Sequence, residues 1–136
     1  MELTIEHLAP YLFYRLNIID IETKEVLELT YKGDLMKVIG KNHFQYSLLS
    51  PSKHKPILRP LSDIESFFKP MFETDKDVNY YLSDFFLEMH NIMSISELAE
   101  IDPNFWPVGT YKLLLKYHFD VNKLIDADLA VDMNTL

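Results

Sequence analysis

Lys55-Pro56-Ile57-Leu58-Arg59-Pro60-Leu61-Ser62-Asp63-Ile64 divides the chain into two kinds of sequence. Pro56 and Pro60 each lock φ at about −65° and lack an amide donor, which holds the first part of the stretch extended. Ser62-Asp63-Ile64-Glu65 then has the form of a capping box, with Ser62 as N-cap and Glu65 three residues on. Upstream, β-branched and aromatic residues sit between turn signals; downstream, apolar residues recur at helical steps. The stretch reads as an architectural joint carried by Pro56, Arg59, Pro60, Ser62 and Glu65. Arg59 is placed to bridge the halves by pairing with a carboxylate such as Asp63.

Upstream, Thr4 to Ala9 predicts one helical turn, capped by Thr4 and stopped by Pro10. Leu16 and Ile18, with Asp20, share one face of a first strand, and Ile19 and Ile21 the other. Val26–Tyr31, Leu35–Ile39 and His43–Leu48 predict three more strands, separated by turns at 22–24, at Lys32-Gly33-Asp34 and at Gly40-Lys41-Asn42. Lys55–Leu58 predicts a fifth strand, placed at an edge because Pro56 cannot donate to a ladder. The expected result is an antiparallel sheet of four to five short strands, curled or barrel-like.

Downstream, Ile64, Phe67 and Phe68 begin a helix limited by Pro70. Val78, Tyr81, Leu82, Phe85, Met89 and Ile92 predict one amphipathic helix of about four turns. Ser94-Ile95-Ser96-Glu97 is a second capping-box pattern, and Tyr111, Leu114, Leu115 and Phe119 predict another helix. Leu124, Ile125 and Leu129 suggest a short final one, followed by a strand or tail at 131–136. The fold class is therefore α+β in a single domain, residues 1–136, with 1–60 mainly strands and 61–136 a cluster of three to five helices.

With 136 residues the chain has the length of one domain. It has no cysteine, which excludes disulfides, thiolate metal sites and cysteine catalysis. The N-terminal residues lack a signal-peptide pattern, and no apolar run approaches a membrane span, so a cytoplasmic protein is expected. Net charge is −8; residues 1–64 carry eight Lys/Arg and eight Asp/Glu, whereas 65–136 carry five and thirteen. The whole acidic excess lies in the helical half.

Two segments resemble known signatures. The stretch at 55–64 is similar to "KPILRPLSDL". Residues 115–125, Leu-Lys-Tyr-His-Phe-Asp-Val-Asn-Lys-Leu-Ile, with 129–136, Leu-Ala-Val-Asp-Met-Asn-Thr-Leu, are similar to "HFDVFGLI…GLAIDINTL". Both occur in small proteins of unknown function encoded by phages and prophages of gut Bacteroidetes, and Leu8–Leu12 fits the start of that family. Asn122-Lys123 and Asp128 depart from the family's Phe-Gly and Gly; Asp128 is compatible with a left-handed turn. The resemblance implies a phage-derived protein in the cytoplasm of a host bacterium. It implies no activity, cofactor or catalytic residue.

Four features bear on function. Lys32, Lys37, Lys41, Lys53, Lys55 and Arg59, opposed only by Asp34 and interleaved with aromatics, form a basic strip of the kind that holds single-stranded nucleic acid. The competing reading is the ordinary polar side of strands. Asp75, Asp77, Asp84, Glu88, Glu97, Glu100 and Asp102 offer an acidic face for a phage or host protein, or simply a solvated surface. His118 with Asp120, and Glu88 with His90, are spaced i, i+2, which does not make a chelating helical face. Phe105 and Trp106 form a partner anchor if exposed and a loop pin if buried; the flanking prolines favour burial. With no phosphate loop, nucleophile elbow, metal set or cofactor motif, a non-enzymatic protein-interaction module is the leading expectation, and nucleic-acid binding the alternative. Oligomeric state is open.

Overall fold

The computed structural model describes residues 2–32, 35–40 and 46–136. A short helix α1 (Ile5–Leu8) runs into a 3₁₀ helix at Ala9–Tyr14, so Pro10 does not end the segment but sits at the start of its second part. Six strands follow in two groups: β1 (Asn17–Asp20), β2 (Val26–Lys32), β3 (Leu35–Gly40), β4 (Tyr46–Leu48), β5 (His54–Leu58) and, at the far end of the chain, β6 (Val131–Asp132). Their order is β4-β3-β2-β1-β5-β6, antiparallel except for the parallel β5–β6 pair. The α+β class is as expected. The sheet, however, is open and mixed rather than barrel-like, and β5 is not at its edge.

Pro56 is tolerated inside the sheet for a local reason. β6 pairs with β5 only at Ile57 and Leu58, so the side facing β6 asks nothing of Pro56. The late arrival of β6 also modifies the expected division at residue 60: the helical half returns one strand to the sheet. The fourth expected strand is described over Tyr46–Leu48; the rest of that expectation, with the turns at Gly33-Asp34 and Lys41-Asn42, falls outside the described residues.

Alternation decides which sheet face is covered. Ile18 lies opposite Leu27, and Leu29 opposite Val38; with Leu16, Met36 and Leu58 they join the core under the helices. On the other face Ile19 lies opposite both Val26 and Lys55. The core is continuous with Ile64, Phe68, Val78, Leu82, Leu87, Ile92, Leu98, Leu113, Leu114 and Phe119, so residues from both halves share one interior. Phe67, Phe68, Tyr117 and Phe119 form an aromatic cluster with ring centroids 5.0–5.5 Å apart.

The helices are α2 (Ile64–Phe68), α3 (Lys76–Tyr81), α4 (Asp84–Met89) and α5 (Val108–Lys116), joined by 3₁₀ turns. Four α-helices fall within the expected three to five. The Ser62 capping box does not form. Ser62 lies inside a 3₁₀ turn, Leu61–Asp63, entered from Pro60, and Glu65 instead accepts a hydrogen bond from Ser96 at 3.1 Å. Ser94 likewise makes no side-chain cap, although Glu97 accepts the Met93 amide.

The ends of α4 and α5 follow one rule. Asn91 and His118 adopt left-handed φ of 62° and 63°. The next amide, Ile92 or Phe119, then bonds back to Leu87 or Leu114, and the left-handed residue's own amide bonds back to Glu88 or Leu115. These are Schellman closures, and each drops the following apolar residue into the core. Asp128, at φ 59°, closes the turn after Leu124 in the same way, as its side chain permits.

Candidate functional site

The expected four-turn helix from Val78 to Ile92 is broken. α3 stops at Tyr81, whose carbonyl accepts the Thr110 hydroxyl at 2.9 Å, and Ser83 caps α4 by accepting the Phe86 amide at 3.2 Å. An unbroken helix would set Val78, Leu82, Phe85, Met89 and Ile92 on one stripe. The break turns α4 so that Leu87 and Ile92 enter the core while Phe85, Met89 and Met93 stand 76%, 63% and 72% exposed. Periodicity does not reveal this, because a capping serine inside an apolar repeat resembles an ordinary polar position.

α4 has three distinct outer zones. At about 100° per residue, Phe85 and Met89 form a crest opposite buried Leu87. Phe86 and His90 lie along one flank, with ring centroids 4.8 Å apart, and exposed Tyr80 rests 5.2 Å from Phe86. The His90 Nδ1–H donates to the Phe86 carbonyl at 2.9 Å, which fixes that flank. Asp84 and Glu88, both exposed, occupy the opposite flank. Residues 77–111 contain six Asp/Glu and no Lys or Arg; a cation from outside that segment, Lys69, lines a pocket with Ser83 and Asp84.

The Phe105-Trp106 pair splits. Trp106 is buried at 5% exposure, whereas Phe105 is 75% exposed. The expectation that both tuck inward holds for Trp106 alone, and Trp106 is thereby removed from the partner-contact set formed with Phe105, Asp84 and Glu88. Its Nε1 is buried with no hydrogen-bond partner among the described residues.

The basic strip does not form a shared free face among the described residues. Lys53 pairs with Asp20 at 3.6 Å, and Lys55 with Asp128 at 3.0 Å. The Arg59 guanidinium lies 4.0 Å from the Phe67 ring centroid. Lys37 is on β3 opposite Thr30, and three strand spacings separate β3 from the strand bearing Lys55. Lys32 ends β2; its side chain and all of Lys41 fall outside the described residues.

Arg59 does not bridge the halves through Asp63, which instead accepts from the Asn134 side chain at 2.6 Å. Burial lowers the Arg59 pKa, against the field of Asp63, and its Nε is buried without a hydrogen-bond partner among the described residues. Its backbone makes the connection: the Arg59 amide donates to the His118 carbonyl, and the Asp120 amide donates to the Arg59 carbonyl, each at 2.8 Å. Of the other expected joint residues, Pro56 lies opposite Ile18, Pro60 enters the 3₁₀ turn that holds Ser62, and Glu65 meets Ser96.

His118 and Asp120 act on the backbone. The His118 Nε2–H donates to the Tyr14 carbonyl, and buried Asp120 accepts the Leu124 and Ile125 amides at 2.7 and 2.9 Å. Burial raises the Asp120 pKa despite those amides, and lowers that of His118. Among the described residues no three His, Asp or Glu side chains are grouped to hold a metal ion.

A polar cleft of about 610 Å³ opens at the end of the covered sheet face, between the β1–β2 turn and β4. Sequence reading did not single it out, since its residues are scattered from Asp20 to His54. Asp20 accepts the Glu22 and Thr23 amides, and buried His54 accepts the Ser50 amide at Nδ1, 2.9 Å. Both side chains thus hold turns, as Lys53 holds Asp20.

No helix of the described residues is long and apolar enough to cross a membrane. No protein-family model matches the chain, and no curated protein or solved structure shows significant similarity to it.

Proposed function

We propose that the protein is a non-enzymatic interaction module, of phage or prophage origin and working in the host cytoplasm, that binds a protein partner through α4. The exposure of Phe85 and Met89 on one short, capped helix, with Met93 exposed just past its end, carries this reading. Single exposed apolar residues are ordinary, but two on one crest, followed by a third just beyond it, are the pattern of a contact surface. The acidic flank and the absence of Lys and Arg over 77–111 favour a basic partner. Nucleic-acid binding by the sheet has less support, because Lys53, Lys55 and Arg59 each already have an intramolecular partner.

The test is photo-crosslinking in the host cell from a reactive side chain at position 89, with position 37 as the control. A discrete protein adduct from 89 alone, lost on Phe85→Ser, is expected. Adducts to nucleic acid from position 37, with none from 89, overturn the reading.

A further inference from the structure

We infer that the α4 face receives an amphipathic helix whose basic residues lie along one flank only; this rests on the protein-interaction reading above. Backbone geometry selects a helix over a strand. α4 is a helix capped by Ser83 and closed at Asn91, so it presents no ladder to which an extended peptide could be added. What it presents is a ridge, Phe85 and Met89 one turn apart, with Met93 also exposed past the Schellman closure at Asn91. Ridges of this spacing fit the grooves of a second helix. The two methionines add unbranched, polarizable surface that repacks around the incoming side chains.

The asymmetry of the flanks sets where the partner's charges fall. Asp84 and Glu88 are one turn apart on one flank, and neither forms an ion pair with a described residue. The other flank is aromatic: Phe86, His90 and the leaning Tyr80. A cation placed on the acidic flank gains attraction from two carboxylates. On the aromatic flank, apolar and ring contacts take its place. The partner helix therefore carries an apolar stripe over the crest and aromatic flank, with Lys or Arg along the side that meets Asp84 and Glu88. Its affinity falls with added salt through the charged flank and persists in part through the apolar stripe.

Three synthetic peptides of about 18 residues, matched in length and net charge, test this against the full chain by calorimetric titration. The first has lysines on one flank of an apolar stripe, the second has them on both flanks, and the third carries a central proline. The one-flank helix is expected to bind tightest, and Phe85→Ser with Met89→Ser to weaken it about thirtyfold. Asp84→Lys with Glu88→Lys is expected to shift the preference to a glutamate-flanked version of the first peptide. These side chains are exposed, so the variants keep the fold; circular dichroism checks that. Equal binding of the proline peptide removes the helix inference while leaving an interaction face. Equal binding of the two-flank peptide, or no binding of any peptide, overturns the inference too. Binding unchanged by Phe85→Ser with Met89→Ser removes this face from the interaction and overturns both.

Discussion

Arg59 and Phe119 form a parallel bridge: the backbone of Arg59 is hydrogen-bonded on both sides to the residues flanking Phe119. The bridge extends the β5–β6 pairing, in which Ile57 and Leu58 meet Val131 and Asp132. Lys55 reaches Asp128, and Asp63 reaches Asn134. Residues 55–64 and the C-terminal segment 118–134 are thus one unit in space. Buried Tyr11 completes it by donating to the Phe119 carbonyl. The unit joins sheet to helices through backbone pairing and a stacked guanidinium.

Arg59→Ala should cost about 1–2 kcal/mol in denaturant unfolding, through loss of the Phe67 contact and of the packed stem. Arg59→Met should come within about 1 kcal/mol of the parent, because it keeps the stem and removes the unpaired buried Nε. Equal losses for both variants would show that the charge itself holds the joint.

Acid should destabilise the fold in two separate windows. Burial lowers the pKa of His54 below its usual 6.5, with Asp20 opposing and Lys53 assisting; burial also lowers that of His118, with Arg59 assisting. Between the folded values and 6.5 the unfolded chain binds more protons, so stability falls as pH drops through that range. His54→Asn, which keeps an acceptor for the Ser50 amide, should flatten part of this slope in urea unfolding at several pH values. For Asp75 the Tyr117 hydroxyl is the first cause of a lowered pKa, which adds a loss only below about pH 4.

Tyr117→Phe removes the 2.7 Å hydrogen bond to Asp75 and leaves the ring in the aromatic cluster. The expected cost is about 1 kcal/mol near neutral pH. The Asp75 carboxyl should titrate higher in the variant, as followed by NMR.

Lys123 stands at φ 56°, a left-handed conformation that glycine adopts without steric cost. Lys123→Gly should stabilise the protein by about 0.5–1 kcal/mol, by relieving left-handed strain on a residue with a Cβ. Gly109→Ala should do the opposite, since a Cβ there would overlap the Tyr81 ring. Thermal melts of the two variants check both signs.

Much of this architecture is legible in residue patterns. Alternation in Val26–Lys32 locates β2 and its inward Leu27 and Leu29, and the two prolines mark the joint. The order of strands is not legible, because the β5–β6 pairing links residues more than seventy positions apart through backbone groups common to all residues. The candidate site hides for a different reason. Phe85 and Met89 continue the apolar period of Val78 and Leu82 faultlessly, and only the Ser83 cap, with Thr110 closing α3, rotates them outward. The basic strip errs the other way: its cations are adjacent in sequence, but Asp20, Asp128 and Phe67 claim three of them in space.

The partner face on α4 is tested most directly by quantitative capture from host lysate, comparing the parent with Phe85→Ser/Met89→Ser and with Lys37→Ala/Lys55→Ala. A defined protein retained by the parent and by the lysine variant, but reduced about thirtyfold or more in the α4 variant, is the predicted result. Retention unchanged by the α4 variant and abolished by the lysine variant would contradict it.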